Sequence, residues 1–201
     1  MAQENVVVVR FTEPSKAYQA LSVLKDSDAE GRIGLESAAV VERTAQGELR
    51  IPESADNVAF IGTASGSLIG MLVGVLGGPV GVLVGWGAGA LMGGAFDLDH
   101  AVTSDEALTV LGQAIPPGAT AVIAQVTEPA TEVIDAEMAL LDGEVTRSST
   151  AQVMSELEAA EDAADAAARE ARRTLREQRK AELHEGFDER VGNLKEKLHA
   201  S

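Results

Sequence analysis

The stretch from Val58 to Phe96 limits what this chain can become more than any other. It reads VAFIGTASGSLIGMLVGVLGGPVGVLVGWGAGALMGGAF, and no charged residue falls between Asp56 and Asp97. Glycine recurs at every fourth position in two registers: Gly62, Gly66, Gly70 and Gly74, then Gly77, Gly81, Gly85, Gly89 and Gly93. A four-residue step returns to nearly the same side of an α-helix, so each register predicts a glycine stripe. Gly78-Pro79 divides the stretch into two arms, Val58 to Leu76 and Pro79 to Phe96. As helices, each arm would be roughly 27–28 Å long, close to the hydrocarbon thickness of a bilayer. A glycine inside a solvated helix costs about 1 kcal/mol relative to alanine. Close packing against a neighbouring helix offsets that cost, because a glycine stripe lets two backbones approach. The nine glycines are therefore the expected helix-packing residues of a glycine-zipper hairpin, and the hairpin is expected to self-associate.

Two environments satisfy this pattern. In one, the hairpin enters or spans a membrane from the cytoplasmic side. In the other, the protein is cytoplasmic and its hairpins are buried within a homo-oligomer. The turn Leu76-Gly77-Gly78-Pro79-Val80 has no charged, polar or aromatic anchor for a far headgroup region, so length and apolarity alone do not decide between them.

Around this insert the pattern is α+β. Val6 to Phe11 reads as a strand buried on both faces. Pro14 opens a helix through Lys25, with Ala17, Ala20, Leu21 and Leu24 on one side. Ile33, Leu35, Ala39 and Val41 mark a second strand, and Gln46-Gly47 turns into a third at Leu49 to Ile51. Beyond the insert, Thr103-x-x-Glu106 resembles a capping box opening a helix through Leu111. Ala119 to Val126 reads as a strand, Thr127-Glu128-Pro129 as opening a helix to Leu141 ended by Gly143, and Glu144 to Ser148 as a last strand. Two βαβ-like halves, 1–57 and 97–149, predict a ferredoxin-like α+β sandwich interrupted by the 58–96 hairpin. From Thr150 the composition becomes Ala, Glu, Asp and then Arg and Lys, which predicts a long C-terminal helix over 150–201, divisible at Gly186 or Gly192. Its thin apolar stripe of Leu175, Leu183, Phe187, Val191, Leu194 and Leu198 is too irregular for a simple heptad.

Charge narrows the functional classes. A net charge of −16 argues against a nucleic-acid partner, because phosphate binding needs clustered Lys and Arg. Between Asp97 and Ala168 the sole Lys or Arg is Arg147. With no cysteine, thiol catalysis and disulfides are excluded. The N-terminus lacks the pattern of a signal peptide, so a cytoplasmic start is expected. Gly85-x-Gly87-x-Gly89 has neither the preceding strand nor the lysine of a nucleotide loop. Asp97, Asp99 and His100 have metal-ligand chemistry, but a polar boundary after the apolar stretch is the simpler reading. Thr63, Ser65 and Ser67 read as hydroxyls bonded back to their own helix, Trp86 as a packing residue, and the acids from Glu156 to Asp165 as a solvated face. No Ser/His/Asp spacing suggests catalysis, so the expectation is a non-enzymatic protein without cofactor or metal.

The order of a βαβ start, AAVVERTAQGELRIPE, the glycine stretch and AIPPGATAVIAQV resembles a bacterial family known only as a domain of unknown function. Its members are commonly labelled predicted membrane proteins, and some actinobacterial ones histidine kinases. The resemblance runs from Val6 to about Ser148 and implies no established activity or catalytic residue. His100, His184 and His199 lie in no phospho-acceptor context, so the kinase label draws no support from these residues.

Overall fold

The computed structural model describes residues 2–52, 60–61, 68–77 and 106–199. Its strands are β1 (Gln3–Phe11), β2 (Gly34–Arg43), β3 (Leu49–Arg50), β4 (Phe60–Ile61), β5 (Thr120–Glu128) and β6 (Glu144–Ser149). They form one antiparallel sheet in the order β3-β2-β5-β1-β6, with β4 also pairing β2. The helices are α1 (Pro14–Ala29), α2 (Leu68–Gly77), α3 (Ala107–Gln113), α4 (Glu132–Ala139) and α5 (Thr150–His199).

The valine run fixes the centre of the sheet. β1 lies between β5 and β6, with Val8 opposite Ile123 on one side and Thr146 on the other. Val6 to Val9 are at most 1% exposed, as a strand covered on both faces requires. Side chains alternate across a strand, so the run feeds two separate cores. Val7, Val9 and Phe11 pack with Ala17, Ala20, Leu21 and Leu24 of α1 and with Ile134 and Met138 of α4. Val6 and Val8 pack on the opposite face with Leu68, Ile69, Leu72 and Leu76 of α2, Leu108 and Leu111 of α3, and Val153 and Leu157 of α5.

Several elements differ from the sequence expectations for local reasons. The first arm of the hairpin is not one helix from Val58: Phe60 and Ile61 pair with Ala39 and Ala38 as a strand, and the helix α2 is described over Leu68–Gly77. An unpaired edge of β2 is available there, and two strand residues satisfy it. α1 runs four residues beyond Lys25, because Ser27 is buried and donates to Glu137 at 2.9 Å. Thr127 and Glu128 belong to β5 rather than opening a helix, since Glu128 still pairs with Gln3. α4 ends with the Schellman pattern: Gly143 N–H donates to Met138 O and Asp142 N–H to Ala139 O, with Asp142 at φ 56°. A Cβ on Gly143 would lie 2.7 Å from Phe11 Cε1 and 2.8 Å from Val9 Cγ1, so close packing requires glycine there.

The start of α3 is closed from a distance. Its residue Glu106 makes no side-chain cap. Instead both carboxylate oxygens of Glu156, in α5, accept from Ala107 N–H and Leu108 N–H at 2.8 Å each. Glu156 is therefore not part of a purely solvated acidic face; it supplies charge to a helix N-terminus. Thr103, the other half of the expected capping box, lies outside the described residues. Met1–Glu158 form one compact unit and Ala159–Ser201 a second, and α5 is helical straight through Gly186 and Gly192.

Candidate functional site at the glycine face of α2

Of the nine glycines expected to pack helices, Gly70, Gly74 and Gly77 lie in α2, and Gly62, Gly66, Gly81, Gly85, Gly89 and Gly93 lie outside the described residues. So do Thr63, Ser65, Ser67, Trp86, Asp97, Asp99 and His100. The sequence LIGMLVGVLG is apolar all round, yet it divides cleanly at 3.6 residues per turn. Leu68, Ile69, Leu72 and Leu76 fall on one arc, and all are at most 5% exposed against the sheet. Gly70 and Gly74 fall on the opposite arc and are exposed, with Met71, Val73 and Val75 half-buried between the two faces.

The glycines do not share one role. A Cβ added at Gly74 would meet nothing within 4 Å. One added at Gly77 would sit 2.6 Å from the carbonyl oxygen of Leu49. Gly77 is thus where α2 touches β3, and no larger residue fits without moving backbone. Gly74, of the first register, opens outward, whereas Gly77, the first glycine of the second register, turns inward. α2 contains no acid, base or nucleophile, so packing is the chemistry it offers.

Leu49 also faces Arg43 across the β2–β3 hairpin. Arg43 is only 2% exposed; its Nη1 donates to Gly47 O at 3.1 Å, and its Nε and Nη2 have no hydrogen-bond partner among the described residues. Burial pushes its guanidinium below the ordinary value. Nothing in the strand pattern signals this, because a charge after Val40-Val41-Glu42 reads as the exposed end of a strand.

A second buried cluster sits across the sheet from this hairpin. Glu128, 1% exposed, accepts from Asn5 Nδ2 at 2.9 Å and from Arg147 Nε and Nη2 at 3.1 and 3.2 Å. Arg147 also pairs with Asp135 at 2.7 Å and donates to Thr131 O at 3.1 Å. Burial pulls the Arg147 guanidinium down, the bonds to Glu128 and Asp135 outweigh it, and the net displacement is upward. With its charges paired and its hydrogen bonds made, this cluster staples β1, β5, β6 and α4 and leaves no group poised for proton transfer. The signal was present in the sequence: Arg147 is the lone Lys or Arg of an otherwise acidic region.

No curated protein and no solved structure matches the chain. The match found is to a family model, and it starts later than the resemblance read from Val6 onward. Residues 63–162, which hold α2, α3, β5, α4, β6 and the first turns of α5, match the family described as Protein of unknown function (DUF1269).

Proposed function

We propose that this chain is a non-enzymatic, self-associating protein whose contact surface is the exposed glycine face of α2, serving a scaffolding or envelope-stress role. One observation carries the reading: α2 spends its leucines and isoleucine on the sheet and leaves Gly70 and Gly74 facing outward. A helix gains nothing from glycine on a solvated face and loses about 1 kcal/mol per residue against alanine. The composition makes physical sense where another backbone approaches that face closely. The order β2-β5-β1-β6, with α1 and α4 on one face, supports a ferredoxin-like sandwich in which the glycine stretch is an insertion.

The membrane reading rests on the uncharged run between Asp56 and Asp97, which would hold the protein at the cytoplasmic side of the cell membrane. Among the described residues, no helix is long and apolar enough to cross a membrane. The burial of α2 against its own sheet favours the alternative, a cytoplasmic regulatory or ligand-binding module whose hairpins are enclosed in a homo-oligomer. Carbonate extraction of cell membranes followed by sizing separates the two. Full release as a discrete oligomer supports the enclosed assembly, and retention in the pellet supports the membrane.

The contact itself is tested by Gly74→Leu. Because a Cβ at Gly74 meets nothing within 4 Å, the fold is expected to accept leucine there while the helix gains propensity. The expected result is an unchanged or higher melting temperature together with a smaller assembly. An unchanged oligomer would remove α2 from the contact surface.

A further inference from the structure

We propose that α5 is a second, separate self-association element, which pairs with α5 of another copy in antiparallel fashion about a two-fold axis passing between Ala166 and Ala168. The observation is an ordered charge stripe. Glu158, Glu161 and Asp165 are followed by Arg169, Arg172 and Arg176, at successive spacings of three or four residues. That spacing keeps all six on one side of the helix. All six are exposed, and none forms an ion pair among the described residues; the pair made in this part of α5 is Glu170–Arg173 at 3.9 Å.

Within one helix this order is unfavourable. Like charges three and four residues apart repel, and only Asp165 with Arg169 is an attractive neighbour in the stripe. Helix-dipole compensation does not explain the segregation, because it acts within the first and last turns and α5 runs from Thr150 to His199. A second copy laid antiparallel reverses the balance. It sets Asp165 against Arg169, Glu161 against Arg172 and Glu158 against Arg176, and the symmetry repeats each pair. A parallel copy would set every acid against its own counterpart.

The surface beside the stripe suits such an approach. Ala164, Ala168 and Ala171 are exposed along it, and Leu175 is 64% exposed at its end. Alanine seams allow helix axes to come within about 8 Å. Acidic and basic halves of one stripe then select both the partner, a copy of this chain, and its direction.

The absence of cysteine makes the register measurable. In the full-length chain, Ala168→Cys places a thiol beside the two-fold, so two copies should form a disulfide. Leu175→Cys copies should not link to one another, since antiparallel pairing separates them by about 24 Å along the axis. A mixture of Ala160→Cys and Leu175→Cys chains should give the mixed dimer. Charge reversal by E158R/E161R/D165R should lower Ala168→Cys linking by about tenfold or more, summed over the exposed pairs. R169E/R172E/R176E should do the same, and combining both sets should restore linking. The proposal is overturned if Ala168→Cys copies do not link, if Leu175→Cys copies link as readily, or if the combined reversal fails to restore what each single set removes.

Discussion

Arg43 takes a positive charge into the sheet beneath the β2–β3 turn and, among the described residues, finds one carbonyl for three nitrogens. A buried donor without a partner costs about 1–3 kcal/mol, and replacing such a group by an apolar one of similar shape is often stabilising. Arg43→Met should therefore raise stability by about 1 kcal/mol or more, measured by denaturant unfolding. Destabilisation instead would mean that the guanidinium is held by a partner. At the surface, Lys16 donates to Asp142 at 2.6 Å, and that hydrogen bond holds the Asp142 carboxyl below its ordinary value of 3.8. A carboxylate whose folded value is depressed adds stability above its unfolded value and loses it as pH falls through the folded one. Asp142→Asn tolerates the same left-handed backbone, so native and variant melting temperatures should differ at neutral pH and converge below pH 3.8. A difference independent of pH would place the effect in the backbone and not in the pair.

Among the elements, α3 depends on a residue far along the chain. Glu156→Ala removes the acceptor for two N–H groups and should cost about 1–2 kcal/mol by denaturant unfolding, with Glu156→Gln retaining part of it. No loss would show that the α3 terminus finds other partners. This contact also marks the limit of what the sequence reveals. A capping box is local and can be read from Thr103 and Glu106, whereas Glu156 lies 49 residues after Ala107. The strands other than β4 were legible because valine runs and a Gln-Gly turn are local signals, and α1 because Ala17, Ala20, Leu21 and Leu24 recur at helical spacing. α2 was legible as a helix but not by its partner, since an apolar segment shows no preference between lipid, a sister chain and its own sheet. The sheet face formed by Ala39, Val41, Ala121 and Ile123 takes it, and that face becomes visible only after β2 and β5 pair. The glycine registers were likewise visible as spacing, but not that Gly74 opens outward while Gly77 presses on Leu49.

Taken whole, the chain offers a sheet domain covered on both faces, one flat glycine surface on α2, and a helix whose charges are ordered for an antiparallel copy. The α2 surface is measured cleanly only when the α5 stripe is silenced. In the E158R/E161R/D165R background, sedimentation of the full-length chain with and without Gly74→Leu isolates the α2 contact. The charge-reversed chain should still associate, and adding leucine at position 74 should reduce it to the monomer without lowering its melting temperature. Equal masses for the two proteins would contradict this.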